Sequence, residues 1–206
     1  MRQRLFGAVV GALVIVGAFA SVSSAAAASF QFEGNSAFVK TSQVTVTTFA
    51  TPAGAYKCSE SASSQEIPKP SVETLTLSPS ISCPGGASKS WVMNGCTEKI
   101  TTVSTGSGIL AFSCPEGQQI SAYVNGCLLT IPAQTPASQT VSFVNKGSGT
   151  TRSVEVKYSI TGLTYTSPGG ACPSKGVHSD GTFTGTMSLK AYKNSAGTIQ
   201  QGVWVQ

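Results

Sequence analysis

A duplicated stretch of twenty residues constrains the fold more than any other feature of the chain. Residues 81–100 and 112–131 align without a gap at an offset of 31 positions, and nine of the twenty positions are identical. Each copy contains Cys-Pro-x-Gly and, seven residues later, Asn-Gly-Cys. Asn-Gly tolerates the positive φ angles of a tight hairpin turn, and paired cysteines supply covalent links. The repeat therefore predicts two units of turn, strand, hairpin and strand, and no reaction centre.

The first 28 residues have the pattern of an export signal. Arg2 and Arg4 precede an uncharged apolar run, which is followed by small residues with Ala-x-Ala sites. The apolar run is about 16 residues long, whereas a membrane-spanning helix needs about 20. We therefore predict cleavage near Ala28, a secreted product without membrane contact, and a single all-β domain over residues 29–206.

Composition supports a disulfide-linked β-sheet protein of the extracellular space. The chain has six cysteines, an even number that in an exported chain predicts three disulfides rather than metal ligands. Charged residues make up 10% of the chain, and its net charge is +5 with the two signal arginines included. This charge is too weak to predict a nucleic-acid partner. Few charges and many β-branched residues favour strands over helices.

Alternating polar and apolar residues divide the mature chain into about eleven or twelve short strands. Residues 44–49 and 152–166 show the alternation well, and turn signals recur every 8–12 residues. We predict an antiparallel β-sandwich, with a β-barrel as the alternative. Residues 59–70 and 167–181 lack this periodicity and are predicted to be surface loops. If the protein binds a ligand, these loops are expected to contact it.

The predicted strand directions decide one disulfide and leave two alternatives for the others. Within one repeat the cysteines lie at opposite ends of a strand, roughly 20 Å apart, whereas a disulfide needs Cα atoms within about 7 Å. We therefore expect Cys96–Cys114, whose residues lie at the same end of neighbouring strands. The remaining pairs are Cys58–Cys83 with Cys127–Cys172, which we favour, or Cys58–Cys172 with Cys83–Cys127.

Residues that could carry chemistry are few, and we predict no catalytic residue, metal or cofactor. His178 and Asp180 are the only histidine and aspartate, and their spacing beside Gly181 predicts a solvated turn rather than part of a Ser-His-Asp triad. One histidine beside six paired cysteines cannot build a zinc site. Glycoside hydrolysis needs two carboxylates across a cleft. Five of the seven glutamates lie beside predicted loops or segment ends, and Glu155 alternates outward, so we do not expect a glycosidase.

Aromatic residues offer the remaining indication of a ligand surface. Tryptophan and tyrosine rings can stack on sugars or peptides, although core packing is the commoner role of such rings. The candidate binding surface consists of Trp91, Tyr123, His178 and Trp204.

Several short motifs resemble a group of small exported all-β proteins of actinobacteria that have no assigned activity. The resemblance is carried by the export signal, Tyr-Lys-Cys at 56–58, Asn-Gly-Cys at 94–96, Cys-Pro-x-Gly at 114–117 and residues 156–166. It implies location and architecture and no catalytic residues. We expect a secreted, non-enzymatic binding or surface-associated module for an unknown extracellular or cell-surface ligand. The alternative is a secreted hydrolase or an inhibitor of one.

Overall fold

The alternating sequence forms fifteen β-strands in the computed structural model, which describes residues 27–52, 54–84, 89–124 and 126–206. Most of the export signal, including Arg2 and Arg4, lies outside these residues. The strands are β1 (Phe30–Phe32), β2 (Phe38–Thr51), β3 (Gly54–Ser63), β4 (Ser71–Val72), β5 (Thr74–Ser82), β6 (Lys89–Val92), β7 (Thr97–Ser104), β8 (Ser107–Ser113), β9 (Ile120–Val124), β10 (Cys127–Ile131), β11 (Ser138–Lys146), β12 (Ser153–Ser167), β13 (Gly176–Tyr192), β14 (Gln200–Gln201) and β15 (Val203–Val205).

Eight of the strands form a closed circuit of hydrogen-bonded neighbours. The order is β13-β2-β3-β5-β7-β8-β11-β12, and β12 pairs in turn with β13. Every pairing in the circuit is antiparallel. The prediction of an antiparallel all-β sandwich linked by disulfides is thus confirmed, with the addition that pairing continues around the core. Because each of the eight strands has a partner on both sides, the circuit has no free edge.

An extension of the large sheet and one smaller sheet pack against this circuit. β6, β9 and β10 continue from β12, and Trp91 of this arm packs against Phe49 and Phe183, with ring centroids 5.1 and 6.0 Å apart. The smaller sheet has the order β15-β1-β4, and its Phe30 makes an edge-to-face contact at 5.4 Å with Phe143 of β11. Both arrangements add buried aromatic surface to one continuous core.

The two copies of the duplicated stretch adopt different pairings. In the second copy, β9 and β10 form the predicted hairpin, with Val124 opposite Cys127. In the first copy, Asn94 and Gly95 have φ angles of 49° and 78°, as the predicted turn requires. However, among the described residues β6 pairs with β9 alone, whereas β7 pairs with β5 and β8, so the predicted first hairpin is wrong. The equivalent strands β6 and β9 pair with each other instead.

The disulfide pairings agree with the favoured prediction. Cys96–Cys114, Cys58–Cys83 and Cys127–Cys172 form, with Cα–Cα distances of 4.0, 4.1 and 4.6 Å. Thr97 lies opposite Ser113 in the β7–β8 pair, which places Cys96 and Cys114 at the same end of neighbouring strands, as the predicted strand directions require. Each bridge joins segments that are already adjacent in space, so the disulfides reinforce the sheet rather than replace its core.

Two predicted loops are in part strands. Residues 59–63 belong to β3, and residues 176–181 belong to β13. In β3 the alternation is present, but its inward positions are Glu60 and Ala62 and its outward positions are serines. An inward glutamate and outward serines do not resemble the usual apolar–polar pattern, which explains the wrong prediction.

Candidate functional site

A mismatch between β2 and β3 opens a groove on the surface of the circuit. Lys40 lies opposite Ser63, and Thr47 lies opposite Cys58. Between these two pairs β2 therefore advances by seven residues and β3 by only five. The extra residues of β2 form a bulge that displaces the two strands from regular pairing. The groove has a volume of about 610 Å³ and continues past the end of β3 to Glu66 and to Ser195 in the β13–β14 turn.

Side chains of β2 satisfy backbone groups of β3 where regular pairing fails. Gln43 donates from Nε2 to the carbonyl oxygen of Cys58 at 2.9 Å. The backbone N–H of Ala62 donates to Oγ1 of Thr41 at 2.6 Å. At the far end, the backbone N–H of Val39 donates to Oγ of Ser64 at 2.8 Å. The opened strands are therefore held in place without a ligand, which gives the groove a fixed shape.

Serine hydroxyls dominate the groove wall formed by β3 and β5. The register places Ser61 opposite Ser80 and Ser63 opposite Ser78, and all four side chains are exposed. Among the described residues, none of these four hydroxyls has a hydrogen-bond partner within the protein. Cross-strand neighbours lie about 5 Å apart, and alternate residues along a strand lie about 7 Å apart. The wall is thus a regular array of free hydroxyls.

Few charges face the groove. Nζ of Lys40 donates to the carbonyl oxygen of Ala196 at 2.9 Å and lies 6.0 Å from the ring centre of Tyr192. Glu66 is exposed at the other side of the groove. One anchored ammonium and one carboxylate leave the groove close to electrically neutral. The half-buried ring of Phe38 supplies an apolar surface beside them.

A pair of glutamates lies inside the core behind this wall. Glu60 of β3 and Glu98 of β7 have only 6% and 0% of their surface exposed. Oε2 of Glu60 accepts hydrogen bonds of 2.6 Å from the hydroxyls of both Thr47 and Tyr158. Oε1 of Glu60 and both oxygens of Glu98 have no other protein donor. The neighbouring Glu60 carboxyl interacts unfavourably with a charge on Glu98.

The protonation state of this pair follows from its surroundings. Burial, together with the neighbouring Glu60 carboxyl, raises the pKa of Glu98 well above its ordinary value. Burial and the two carboxyls also raise the pKa of Tyr158, so its hydroxyl remains a neutral donor. Burial and the neighbouring carboxyl therefore both favour the protonated form of Glu98. With almost no exposed surface, these carboxyls do not form the open cleft that glycoside hydrolysis requires.

His178 and Asp180 lie in β13 rather than in a solvated turn, and they do not form a triad. Oγ of Ser174 lies 3.3 Å from Nε2 of His178, whose ring stacks on Tyr165 at 5.1 Å. Asp180 accepts a 2.8 Å hydrogen bond from the hydroxyl of Tyr165 instead of supporting the imidazole. Burial and this carboxylate raise the pKa of Tyr165 to about 12. The adjacent cavity of about 50 Å³ is too small for a substrate.

The four residues of the candidate aromatic surface lie on different parts of the fold. Trp91 is buried with 6% exposure, and its indole N–H points to Sδ of Met93 at 3.1 Å. Tyr123 is half-buried on β9, and Trp204 is half-buried on β15 with Arg152 stacked 4.9 Å from its ring. Within the described parts of the chain, no two of these rings touch. Core packing thus explains Trp91, and the four residues do not line the groove.

The sequence analysis did not predict the groove residues, because the only pattern that marks them is a repeat of serines. Ser-x-Ser-x-Ser occurs at residues 59–63 and again at 78–82, and the register brings the two triplets opposite each other. Serine has no strong strand preference, so a serine triplet reads as a loop when taken alone. Two such triplets at β-strand spacing are the signal that could have predicted a hydroxyl-lined sheet face.

Neither a metal cluster nor a spanning helix is found over the described ranges. Histidine, cysteine, aspartate and glutamate side chains do not gather there in threes as metal ligands would. No helix in those ranges has the length and apolarity needed to cross a membrane. Comparison of the chain with protein-family models, with curated proteins and with solved structures gave no match.

Proposed function

We propose that the protein is a secreted, non-enzymatic binding module that holds an extracellular or cell-surface ligand in the groove between β2 and β3. The observation that carries this proposal is the groove itself, about 610 Å³ in volume and lined by hydroxyls without internal partners. Binding sites combine a preformed concave shape with a few polar groups that fix orientation. The groove also includes residues 61–66, within one of the two segments expected from the sequence to contact a ligand.

A hydrolase function has less support than binding. The carboxyls of Glu60 and Glu98 approach each other inside the core, where a substrate does not reach them. Ser174 and His178 lie within hydrogen-bond distance of each other. The carboxylate of Asp180 accepts a hydrogen bond from Tyr165 instead of from His178, so the three residues do not form a triad. The three disulfides and the neutral hydroxyl surface suit a durable scaffold outside the cell.

Filling the groove is expected to abolish ligand retention. Ser61 is exposed at the centre of the serine wall, so Ser61→Arg should place a long charged side chain in the groove without disturbing the core. The measurement is the fraction of purified mature protein that co-sediments with washed envelopes of the source cells. We expect at least a tenfold loss, which corresponds to about 1.4 kcal/mol of binding free energy.

The matched control for this experiment is Ser159→Arg. Ser159 is likewise an exposed mid-strand serine, on β12, and it does not line the groove. The control should retain the parent's co-sedimentation. Equal retention of the Ser61→Arg and Ser159→Arg variants would contradict the proposed site.

Export is expected to remove the N-terminal segment by cleavage near Ala28. Ser29 pairs with Gln206 through hydrogen bonds of 2.8 and 3.0 Å, and the carbonyl of Ala28 accepts a hydrogen bond from Thr102. N-terminal sequencing of the protein from culture medium should give a first residue within a few positions of Ser29. Recovery of a membrane-bound product that still begins at Met1 would refute this part of the proposal.

A further inference from the structure

We infer that the ligand held in the β2–β3 groove is a neutral glycan, an inference that rests on the proposed binding function. A glycan presents many hydroxyl groups, each able to donate and to accept a hydrogen bond. The groove presents the same chemistry in Ser61, Ser63, Ser78, Ser80 and Ser195, which are all exposed. A serine hydroxyl also offers one donor and two acceptor positions, so the two surfaces can match in several orientations.

The arrangement of these hydroxyls suits a ring-shaped polar ligand better than an isolated polar group. Two cross-strand pairs, Ser61 with Ser80 and Ser63 with Ser78, form a rectangle with sides of about 5 and 7 Å. The exposed amide of Gln65 adds a further donor and acceptor at the edge of the groove. The side chains of these four serines and of Gln65 form no hydrogen bond with another described residue. Hydrogen bonds to a ligand therefore require no internal bond to break.

Phe38 gives the groove the apolar surface that a sugar ring also needs. The faces of a pyranose carry C–H groups, which pack against an aromatic ring while the hydroxyls point to the sides. Phe38 is half-buried and lines the groove together with the serines. Small-molecule binding sites usually combine an aromatic or apolar surface with a few polar groups that point toward the ligand.

Charge favours a neutral ligand over an acidic one. The ammonium of Lys40 is held by the carbonyl of Ala196 and by the ring of Tyr192. Glu66 is exposed in the same groove and would repel a carboxylate or phosphate. Recognition of an anion uses clustered arginine or lysine side chains, and Lys40 is the only basic residue among those that line the groove in the described chain.

A peptide is disfavoured because two of the backbone groups that it would need on the opened β3 are already bonded. An added peptide strand would need the N–H and C=O groups of β2 and β3 for its main-chain hydrogen bonds. The carbonyl of Cys58 is already bonded to Gln43, and the N–H of Ala62 is bonded to Thr41. Binding by strand addition would therefore cost existing hydrogen bonds, whereas a glycan contacts only the free hydroxyls.

The serine wall is also pre-organised by a covalent link. Cys58 and Cys83 form a disulfide at the end of the β3–β5 pair, next to the pair of Ser59 and Ser82. The two strands that carry the hydroxyls cannot separate at this end. Rigid presentation lowers the entropy lost when a ligand binds, which compensates for the modest strength of each hydroxyl contact.

The test uses affinity electrophoresis of the mature protein in gels that contain dextran, galactomannan, mixed-linkage β-glucan or the anionic polymer polygalacturonate. We expect retardation by at least one of the three neutral polysaccharides. The double variant Ser61→Ala, Ser80→Ala should bind that polymer about tenfold more weakly, since it loses two hydrogen-bonding groups. Ser159→Ala is the matched control and should bind as the parent does. Circular dichroism melting of all three proteins verifies that they are folded.

Two results would overturn the glycan inference. One is binding to polygalacturonate alone or to none of the three neutral polymers, and the other is equal weakening by the double variant and the control. The envelope assay with Ser61→Arg separates this failure from failure of the proposed function. If envelope retention is still lost in that variant while the neutral polymers are not bound, the groove remains the binding site for a different ligand. If retention is unchanged as well, both proposals fail.

Discussion

Replacing Glu98 by glutamine is expected to make the protein more stable at neutral pH and to remove most of its pH dependence above pH 5. Burial and the Glu60 carboxyl raise the pKa of Glu98 well above its ordinary value of 4.5 in the folded protein. In the unfolded chain the carboxyl ionises near 4.5. Between these two pKa values the folded state therefore binds one proton more than the unfolded state.

The sign of the pH dependence follows from this difference in bound protons. Stability from the protonated Glu98 carboxyl is fully present below pH 4.5 and is lost as the pH rises through the folded pKa of Glu98. Within that window the free energy of unfolding should fall by about 1.4 kcal/mol per pH unit. Glutamine cannot ionise, so the Glu98→Gln variant should lack this slope.

Urea unfolding at a series of pH values from 5 to 9 measures the effect. Glu116→Gln is the matched control, because Glu116 is exposed and makes no ion pair or hydrogen bond with another described residue. The control should show the parent's slope. If parent and Glu98→Gln proteins show the same slope, the pKa of Glu98 is not raised in the folded protein and the interpretation is wrong.

Gly185→Ala is expected to destabilise the protein by about 2–6 kcal/mol. Tyr158 lies opposite Gly185 in the β12–β13 pair, and its ring folds over the glycine to reach Glu60. A Cβ atom at position 185 would lie 2.4 Å from Oη and 2.6 Å from Cζ of Tyr158. The ring must therefore move. The cost combines overpacking, about 1–3 kcal/mol, with the loss of a buried hydrogen bond, about 1–3 kcal/mol.

Two comparisons isolate the role of Tyr158 in this effect. Gly106→Ala is the control, because a Cβ atom there would meet nothing within 4 Å, and it should change stability by less than about 0.5 kcal/mol. Tyr158→Phe removes the hydroxyl donor to Glu60 directly. If Gly185→Ala displaces that hydroxyl, the two substitutions share one loss, and the double variant should be less destabilised than the sum of the single variants. Strict additivity would argue against the displacement.

The Cys96–Cys114 disulfide was predictable because it depends on spacing, whereas β5 and β7, which the sequence predicted to run in the same direction, pair antiparallel. Seven residues between Cys-Pro-x-Gly and Asn-Gly-Cys fix the length of a strand, and this length excludes a bridge within one repeat. The reasoning holds for Cys96–Cys114 even though the first Asn-Gly turn does not join paired strands. Turn geometry is local, whereas the partner of a strand depends on the whole sheet, which explains why the turn was correct and the hairpin was not.

The candidate site could not be predicted because its chemistry conflicts with the usual pattern of burial. Glu60 and Glu98 are inward although charged residues almost never occupy such positions without a partner. The serine wall opposite them on β3 and β5 is visible only once the register is known. Both features depend on which strands become neighbours, and alternation within a single strand contains no information about that.

Because the eight-strand circuit closes between distant parts of the sequence, an incomplete chain is expected to aggregate. The pairing that completes the circuit joins β2, from Phe38, to β13, which ends at Tyr192. Until that distant segment has been made, β2 and β12 each lack the partner that finally covers them, and an uncovered strand can recruit another chain. A ribosome that stops before β13 would therefore leave a nearly complete protein that is prone to aggregate rather than a shorter stable one.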